Sequence, residues 1–562
     1  MKFSTIRIKN FRNFEDINIK LSNKNVFFGL NDVGKTNFLY ALRFLFDRNI
    51  RKNGFIDSDF YQKKTENDIE IIVEVDISDI ENDASKLIRS IVKGALRSGD
   101  SSLYIKLKAS YNSQLQYGEP QLMWAGNESN YETVKQLGAF TDLDKIFNVI
   151  YIDAYVNLQE LFSRSLRYIL PDASESDVEI QNLIDGDIKL LNEHISSLSN
   201  IKSIEAELTP LFNSYQGKEH KISLKSEVSV NGYYSNLTPY IEGPDSNGVY
   251  PTAGEGRRKL LAYALYKLLM RKDEGRKINL FLLEEPENHL HKGMQLSLSN
   301  VIFDDNTYEY LFVTTHSPYI LYEMNNVNLV RIFNSGNISS KSFIYKVPSE
   351  FEKSRKLLNS FLAEAIFANR VLLVEGPSEE LLFNKVLLSI KPNYEALGLY
   401  ILSIRGIYFD KFIEVLNPLG ITCIVKTDND INGIRNTSHY LPAGFKRCNK
   451  LMGEAILPED ELLSKGIKQQ KKIYRDNIDS ISQMNKSNIF ISEVDLENDL
   501  QSALKRKRFK ELVAHDNPVK YLQTKKQINM VDFINKLEDR DCRKIYESEY
   551  FSCLRALLNG YI

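Results

Sequence analysis

Two short, largely apolar runs that each end in acids constrain this fold most. They are Val371-Leu-Leu-Val374, leading into Glu375-Gly-Pro-Ser-Glu379, and Ile421-Thr-Cys-Ile-Val425, leading into Lys426-Thr-Asp428-Asn-Asp430. A run without polar alternation reads as a strand buried on both faces, as in a parallel sheet covered by helices. Ligand sites of such open α/β sheets lie at the carboxyl ends of the strands. Two carboxylates about 4 Å apart at an effective dielectric near 20 repel by roughly 4 kcal/mol, so acids gathered there share protons or hold cations. Magnesium is the natural occupant.

A second local pattern lies near the start. Gly29-Leu-Asn31-Asp-Val-Gly34-Lys35-Thr36 follows the apolar Asn25-Val-Phe-Phe28 and precedes the helical Asn37-Phe-Leu-Tyr-Ala-Leu-Arg-Phe-Leu. Strand, glycine loop and helix in that order form a phosphate cradle: backbone amides turn inward, Lys35 reaches the outer phosphates, and the Thr36 hydroxyl ligates magnesium. Further on, Ile278-Asn-Leu-Phe-Leu-Leu283 ends in Glu284-Glu285-Pro286-Glu287. A P-loop ATPase needs one acid there for magnesium and one for the attacking water, which assigns Glu284 to the metal and Glu285 to the water. The strand Tyr310-Leu-Phe-Val313 runs into Thr314-Thr-His316, placing His316 to contact the terminal phosphate. Thr252-Ala-Gly-Glu-Gly256-Arg257-Arg258-Lys259 opens a long helix with three cations in its first turn, against the macrodipole. A bound phosphate or an acidic surface relieves that conflict.

At 562 residues the chain is too long for one core. Its cysteines, Cys423, Cys448, Cys542 and Cys553, show neither a CxxC pair nor disulfide-like spacing, and no apolar run approaches a bilayer span, which predicts a cytoplasmic protein. By texture the chain divides into an N-terminal α/β unit at 1–348, interrupted by a helical, polar insertion at about 157–245, and a second α/β unit at 349–562. The Lys-rich stretch from Glu461 to Ser487 reads as an exposed excursion. Ser378 is expected to cap the helix after Glu375 and bring Glu379 back toward the strand end. Ile489-Phe-Ile491 leads to a third acidic cluster, Ser492-Glu493-Val-Asp495-Leu-Glu497-Asn-Asp499, where a continued strand puts Glu493, Asp495 and Glu497 on one face.

The N-terminal pieces, together with the opening Asn10-Phe-Arg12-Asn-Phe14, resemble the ATP-binding-cassette ATPases of the RecF, SMC and Rad50 type. That resemblance implies ATP with magnesium, bound by Arg12, Asn31, Gly34, Lys35, Thr36, Glu284, Glu285 and His316, and an ATPase dimer. Glu284 stands where Asp is usual, and Gly254-Glu-Gly256 is a loose version of the family's signature, so nucleotide binding is expected ahead of rapid turnover. The second unit fits the Toprim pattern, with Glu-Gly after one strand and Asp-x-Asp after the next. An ABC-type ATPase followed by a C-terminal Toprim α/β domain resembles the overcoming-lysogenization-defect (OLD) nucleases, and within them the nucleases of Gabija-type anti-phage defence. That resemblance implies a metal site (Mg2+ or Mn2+) of Glu375, Glu379, Asp428, Asp430 and Asp495, with Lys526 the catalytic cation and Lys525 one position away. It also implies nicking of double-stranded DNA restrained by nucleotide, a homotetramer, and a partner resembling a UvrD-type helicase.

A net charge of −2 gives no global attraction to DNA. Local cations must supply it: Lys505-Arg-Lys-Arg508 with Lys510 first, then Lys468, Lys471, Lys472 and Arg475. Two other classes fit parts of the pattern. One is a non-nucleolytic, RecF- or SMC-like DNA-repair clamp; the other is a topoisomerase-like strand transferase, which needs a nucleophilic tyrosine.

Overall fold

The computed structural model describes the chain except for residues 31–32, 93, 95, 98, 138–139, 156–160, 162–174, 207–222, 225–254, 273–276, 305–307, 335 and 561–562. It folds into two compact units. One comprises Met1–Ala154, Lys277–Glu287 and His291–Ile562; the other comprises Tyr155–Arg276 with Asn288–Leu290.

Alternation along the first strands produces an antiparallel sheet with one buried face. In spatial order it runs Phe14–Lys20, Lys2–Phe11, Ile69–Asp76, Ser102–Asn112, Tyr117–Ala125 and Glu132–Thr133. Ile69, Ile71, Val73 and Val75 are buried while the residues between them are half-exposed, the period of 2 read from the sequence. The phosphate-loop strand lies in a second sheet, ordered Phe147–Ile152, Ile278–Glu284, Tyr310–Thr314, Lys24–Phe28, Val327–Asn334, Ile338–Tyr345. Its first five strands are parallel and the last is antiparallel. Phe27 on the loop strand meets Phe38 on the following helix, Lys35–Phe46, with ring centroids 4.0 Å apart. Burying each ring contributes about 1.5–3 kcal/mol and docks that helix on the sheet.

The third sheet is wholly parallel, in the order Leu399–Ser403, Arg370–Val374, Thr422–Thr427, Ile489–Ile491. Val371 to Val374 are all buried, which is why that stretch carries no polar alternation. The second and third sheets touch through Arg331. Its guanidinium donates to the carbonyls of Leu419 (3.3 Å) and Gly420 (2.9 Å) and to Asn369 Oδ1 (2.6 Å), beside the starts of two strands of the third sheet.

Three expectations change. Glu461 to Ser487 is an excursion only in part: it holds helices Ile467–Asp476 and Ile478–Lys486, whose Ile473, Ile481 and Met484 pack with Phe445, Cys448, Ile489 and Ile491. Ile478, Ile481 and Met484 recur at helical spacing within one of these short helices, and the buried residues of the pair suffice against an existing core. Ser378 does not cap its helix. Pro377–Ile390 starts with Gly376 as N-cap and Pro377 at N1, and Ser378 is buried inside the first turn. The strand Ile489–Ile491 does not continue through the third acidic cluster, because Asp495 caps a helix, Leu496–Leu504. Of the expected insertion, helix Glu175–Ser196 is among the described residues of the second unit, where helix Glu255–Lys272 also carries Arg257, Arg258 and Lys259 in its first turn.

Candidate functional site

The three acidic clusters lie at the carboxyl ends of three adjacent parallel strands. Glu375 follows Arg370–Val374, Asp428 follows Thr422–Thr427, and the segment from Ser492 follows Ile489–Ile491. The Glu375 side chain crosses to the neighbouring strand, where Oε1 accepts from Thr427 Oγ1 (2.5 Å) and from the Asp428 amide (2.9 Å). Glu379, on the first turn of the helix opened by Gly376, is half-buried, and its Oε2 lies so close that a Cβ at Gly376 would fall 3.2 Å from it. Burial first, then Glu375 and Glu497, push the Glu379 carboxyl up to about 7, with Lys526 opposing. Burial and then the charges of Glu375, Glu379, Asp495 and Asp430 hold Asp428 well above the ordinary carboxylate range.

The third cluster separates by direction. Asp495 Oδ1 accepts from the Asn498 amide (2.9 Å) and side chain (2.8 Å), and Oδ2 accepts from Gln523 Nε2 (2.8 Å). Glu493 turns the other way and pairs with Lys471 (3.1 Å) and Arg475 (2.9 Å). Asp499 is fully buried against Lys426 (2.9 Å). Only Asp495 and Glu497 therefore add their charge to the acids of the first two clusters. Lys526, the first residue of helix Lys526–Ile534, faces the group: burial works against its ammonium, but Glu497, Asp428, Glu379 and Asp495 together raise its pKa.

Two groups at this site carry no signal in the sequence. Arg447 is nearly buried, with Nη1 donating to Glu375 Oε1 (2.6 Å) and to Thr427 Oγ1, and Nη2 donating to Asp430 Oδ2 (2.7 Å). Gln523 ties the segment before Lys526 to Asp495. Each lies on a helix remote in sequence from the acids it holds, so spacing cannot reveal it. Among the described residues, no three His, Cys, Asp or Glu side chains form a ready-made metal cage. Arg447 accounts for part of this by engaging two of the carboxylates. The donor set nonetheless fits a hard divalent cation, since it is oxygen-only and so crowded that two of its acids are driven toward the protonated state.

At the phosphate loop, Gly29 and Gly34 have φ of 152° and 101°. A Cβ at Gly29 would lie 2.2 Å from the Ile332 carbonyl oxygen, and one at Gly34 would lie 2.2 Å from the Asn13 amide, so both close approaches need glycine. Lys35 Nζ donates to the carbonyls of Gly29 (3.1 Å) and Leu30 (2.8 Å). Thr36 Oγ1 donates to Glu284 Oε1 (2.5 Å), and the Tyr151 hydroxyl bonds the other oxygen of Glu284 from the adjacent parallel strand. The two residues expected to share a magnesium thus already meet. Glu285, at φ 40°, lies 3.4 Å from His316 Nε2. Burial and then Lys35 lower the His316 pKa, while Glu285 raises it. Glu287, to which the sequence assigned no role, is buried and accepts from Thr315 Oγ1 (2.8 Å) and the His316 (2.6 Å) and Ser317 (3.1 Å) amides, fixing the histidine loop. Arg12 is held by Asp59 (2.9 Å) and Asn37 (3.1 Å). Asn37 in turn donates to Asn13, which donates to the Val33 carbonyl in the loop. Asn31 lies outside the described residues. The cradle, buried lysine and paired hydroxyl and acid fit a nucleotide with its cation.

The basic runs are less free than their sequence suggests. Arg508 is locked to the buried Asp541 (2.7 Å) and to Glu538 (3.2 Å), Lys510 pairs with Asp516 (2.9 Å), and Lys471 and Arg475 serve Glu493.

Comparison with known proteins gives two family matches: the AAA ATPase domain over residues 1–321, and the overcoming lysogenization defect protein-like TOPRIM domain over residues 366–430. The chain is 41% identical to Endonuclease GajA of Bacillus cereus (strain VD045), covering 100% of both chains. It is 24% identical to the OLD nuclease of Thermus scotoductus, over 76% of this chain and 81% of that one. It is 23% identical to the DNA replication and repair protein RecF of Streptococcus agalactiae, over 56% of this chain and 92% of that one.

Proposed function

The chain belongs to the OLD family of ATPase–Toprim nucleases, and from that premise we propose that it is a metal-dependent DNA endonuclease, governed by nucleotide at its P-loop, that acts in bacterial anti-phage defence. The observation that carries the nuclease reading is the convergence of Glu375, Glu379, Asp428 and Asp495 with Lys526 at one edge of one parallel sheet.

In this reading Glu375, Glu379, Asp428, Asp430 and Asp495 would hold magnesium or manganese. A divalent cation there supplies Lewis acidity toward water and toward the phosphate oxygens. The chain's own residues do the rest. Glu375 is fixed by the Asp428 amide and Thr427 hydroxyl, so its carboxylate is oriented before substrate arrives. Burial and the charges of Glu375 and Glu497 disfavour an uncompensated Glu379 carboxylate, so this acid gains from a divalent cation at the site. Lys526 stands on the same acids, where its ammonium can meet the charge that develops on the phosphoryl oxygens as the new P–O bond forms and the bond to the sugar oxygen breaks. Asp495 and Gln523 keep that lysine's segment against the site.

At the other site, ATP with magnesium is held by Gly34, Lys35 and Thr36, with Glu284 toward the cation, and with Glu285 and His316 at the terminal phosphate. Arg12 acts through Asn37 and Asn13 on the loop. The family resemblance further implies a cytoplasmic homotetramer and a UvrD-like helicase partner (GajB). An ATPase region at 1–348, carrying the 157–245 insertion, and a Toprim region at 349–562 divide the labour.

Supercoiled plasmid with magnesium tests the reading. Wild type should nick it and Glu375→Ala should not, while both bind ATP; retained nicking by Glu375→Ala would sink the assignment. An ATP titration against Lys35→Ala tests regulation, because that variant should cut regardless of ATP if nucleotide acts through the P-loop.

A further inference from the structure

Helix Ala443–Met452 is pressed directly onto the Asp-x-Asp backbone. A Cβ at Gly444 would fall 2.6 Å from the Asp428 carbonyl oxygen and 2.9 Å from the Asp430 nitrogen, and the Gly444 amide donates to the Asp430 carbonyl (3.0 Å). One turn later on the same face, Arg447 reaches between Glu375 and Asp430. The glycine sets the distance and the arginine fills it. The guanidinium also contacts the Thr427 hydroxyl, so it holds the ends of two neighbouring strands together at the place where the acids crowd most.

An arginine keeps its proton throughout the physiological range, so this positive charge can leave the carboxylates only by moving. Space for such a movement lies beside it: Arg447 lines a cavity of about 840 Å³ with Tyr408, Asn432, Ala443, Lys446 and Lys450.

We propose that Arg447 is a positioning residue that serves as the resident counter-cation of the Toprim acids and competes with the divalent cation for Glu375 and Asp430. It thereby sets the cation concentration at which the nuclease loads. This rests on the metal-site reading given above, and it separates two roles that one arginine could play. A simple brace would leave cation binding unchanged or weaken it when removed. A competitor, when removed, strengthens cation binding.

The test is direct Mn2+ binding to the full-length, nucleotide-free protein, measured by calorimetry and by the electron paramagnetic resonance signal of free Mn2+. Arg447→Gln removes the charge and should tighten binding by about ten-fold or more. Arg447→Lys keeps a charge but loses the planar fork that grips two carboxylates at once, and should fall between wild type and Arg447→Gln. Unchanged or weaker binding in Arg447→Gln overturns the proposal. If circular dichroism shows that this variant does not fold, Arg447→Lys decides, with affinity at or below wild type overturning it. Glu375→Gln separates the two readings. Loss of Mn2+ binding in Glu375→Gln without tightening in Arg447→Gln defeats only the competition, whereas Mn2+ binding unaffected by Glu375→Gln defeats the metal site as well.

Discussion

Lys426→Met should destabilise the third sheet by about 3 kcal/mol, and the structure sets that figure. Lys426 and Asp499 are 4% and 0% exposed and 2.9 Å apart. The ammonium also donates to the Tyr550 carbonyl (3.0 Å), and Asp499 accepts from the Glu493 amide (3.2 Å). Burial acts most strongly and against the charged lysine, but Asp499, together with Cys553 and Tyr474, holds the Lys426 pKa above its ordinary value. Removing one partner of such a pair leaves the other charge buried and costs roughly 3–5 kcal/mol. The backbone amide still solvates Asp499, which favours the low end. At about 2–4 °C per kcal/mol for a unit of this size, the transition that reports the third sheet should fall by roughly 6–12 °C in calorimetry. Asp499→Leu should cost a similar amount, and the double variant Lys426→Met/Asp499→Leu should recover most of the loss, because two apolar groups replace two charges. Because Lys426 lies two residues before Asp428, cleavage should fall along with stability in the single variants. A shift under about 2 °C for Lys426→Met, or a double variant as unstable as the sum of the singles, would refute the argument.

Three further outcomes are expected. Gly34→Ala should abolish nucleotide binding, measured with a fluorescent ATP analogue, because it needs both a left-handed backbone for alanine and space now filled by Asn13; binding within two-fold of wild type, by order of magnitude, would contradict this. Lys526→Ala should lower plasmid cleavage by roughly 100-fold while Lys525→Ala has little effect, since it is Lys526 that faces the four carboxylates; the reverse ranking would move the catalytic cation by one residue. Arg508→Ala should lower thermal stability rather than flatten the salt dependence of DNA binding, because its guanidinium is committed to Asp541, whereas Lys505, Arg506 and Lys507 remain candidates for DNA; a reduced salt slope in Arg508→Ala would show that it contacts phosphate instead.

Short-range patterns in the chain determined that this protein has a phosphate loop between Phe28 and Lys35 and parallel strands ending at Glu375 and Asp428. Such features depend on neighbours only: a glycine where φ must be positive, a lysine at a fixed offset, an apolar run where both faces are covered. That is why the strands, and the acids Glu284 and Glu285 at the end of strand Ile278–Glu284, fell where their spacing put them. Direction and long-range partnership were decided only by the tertiary structure. The helix that begins at Leu496 turns Asp495 and Glu497 toward the site and leaves Glu493 and Asp499 to lysines and arginine elsewhere, although all four sit within seven residues. The same holds for the placing of Lys526 opposite these acids, and for the basic runs that proved half-consumed in ion pairs. Arg447 is the clearest case. Its role follows from Gly444 letting one helix touch the Asp-x-Asp backbone, a contact created by packing between elements that no sequence period links.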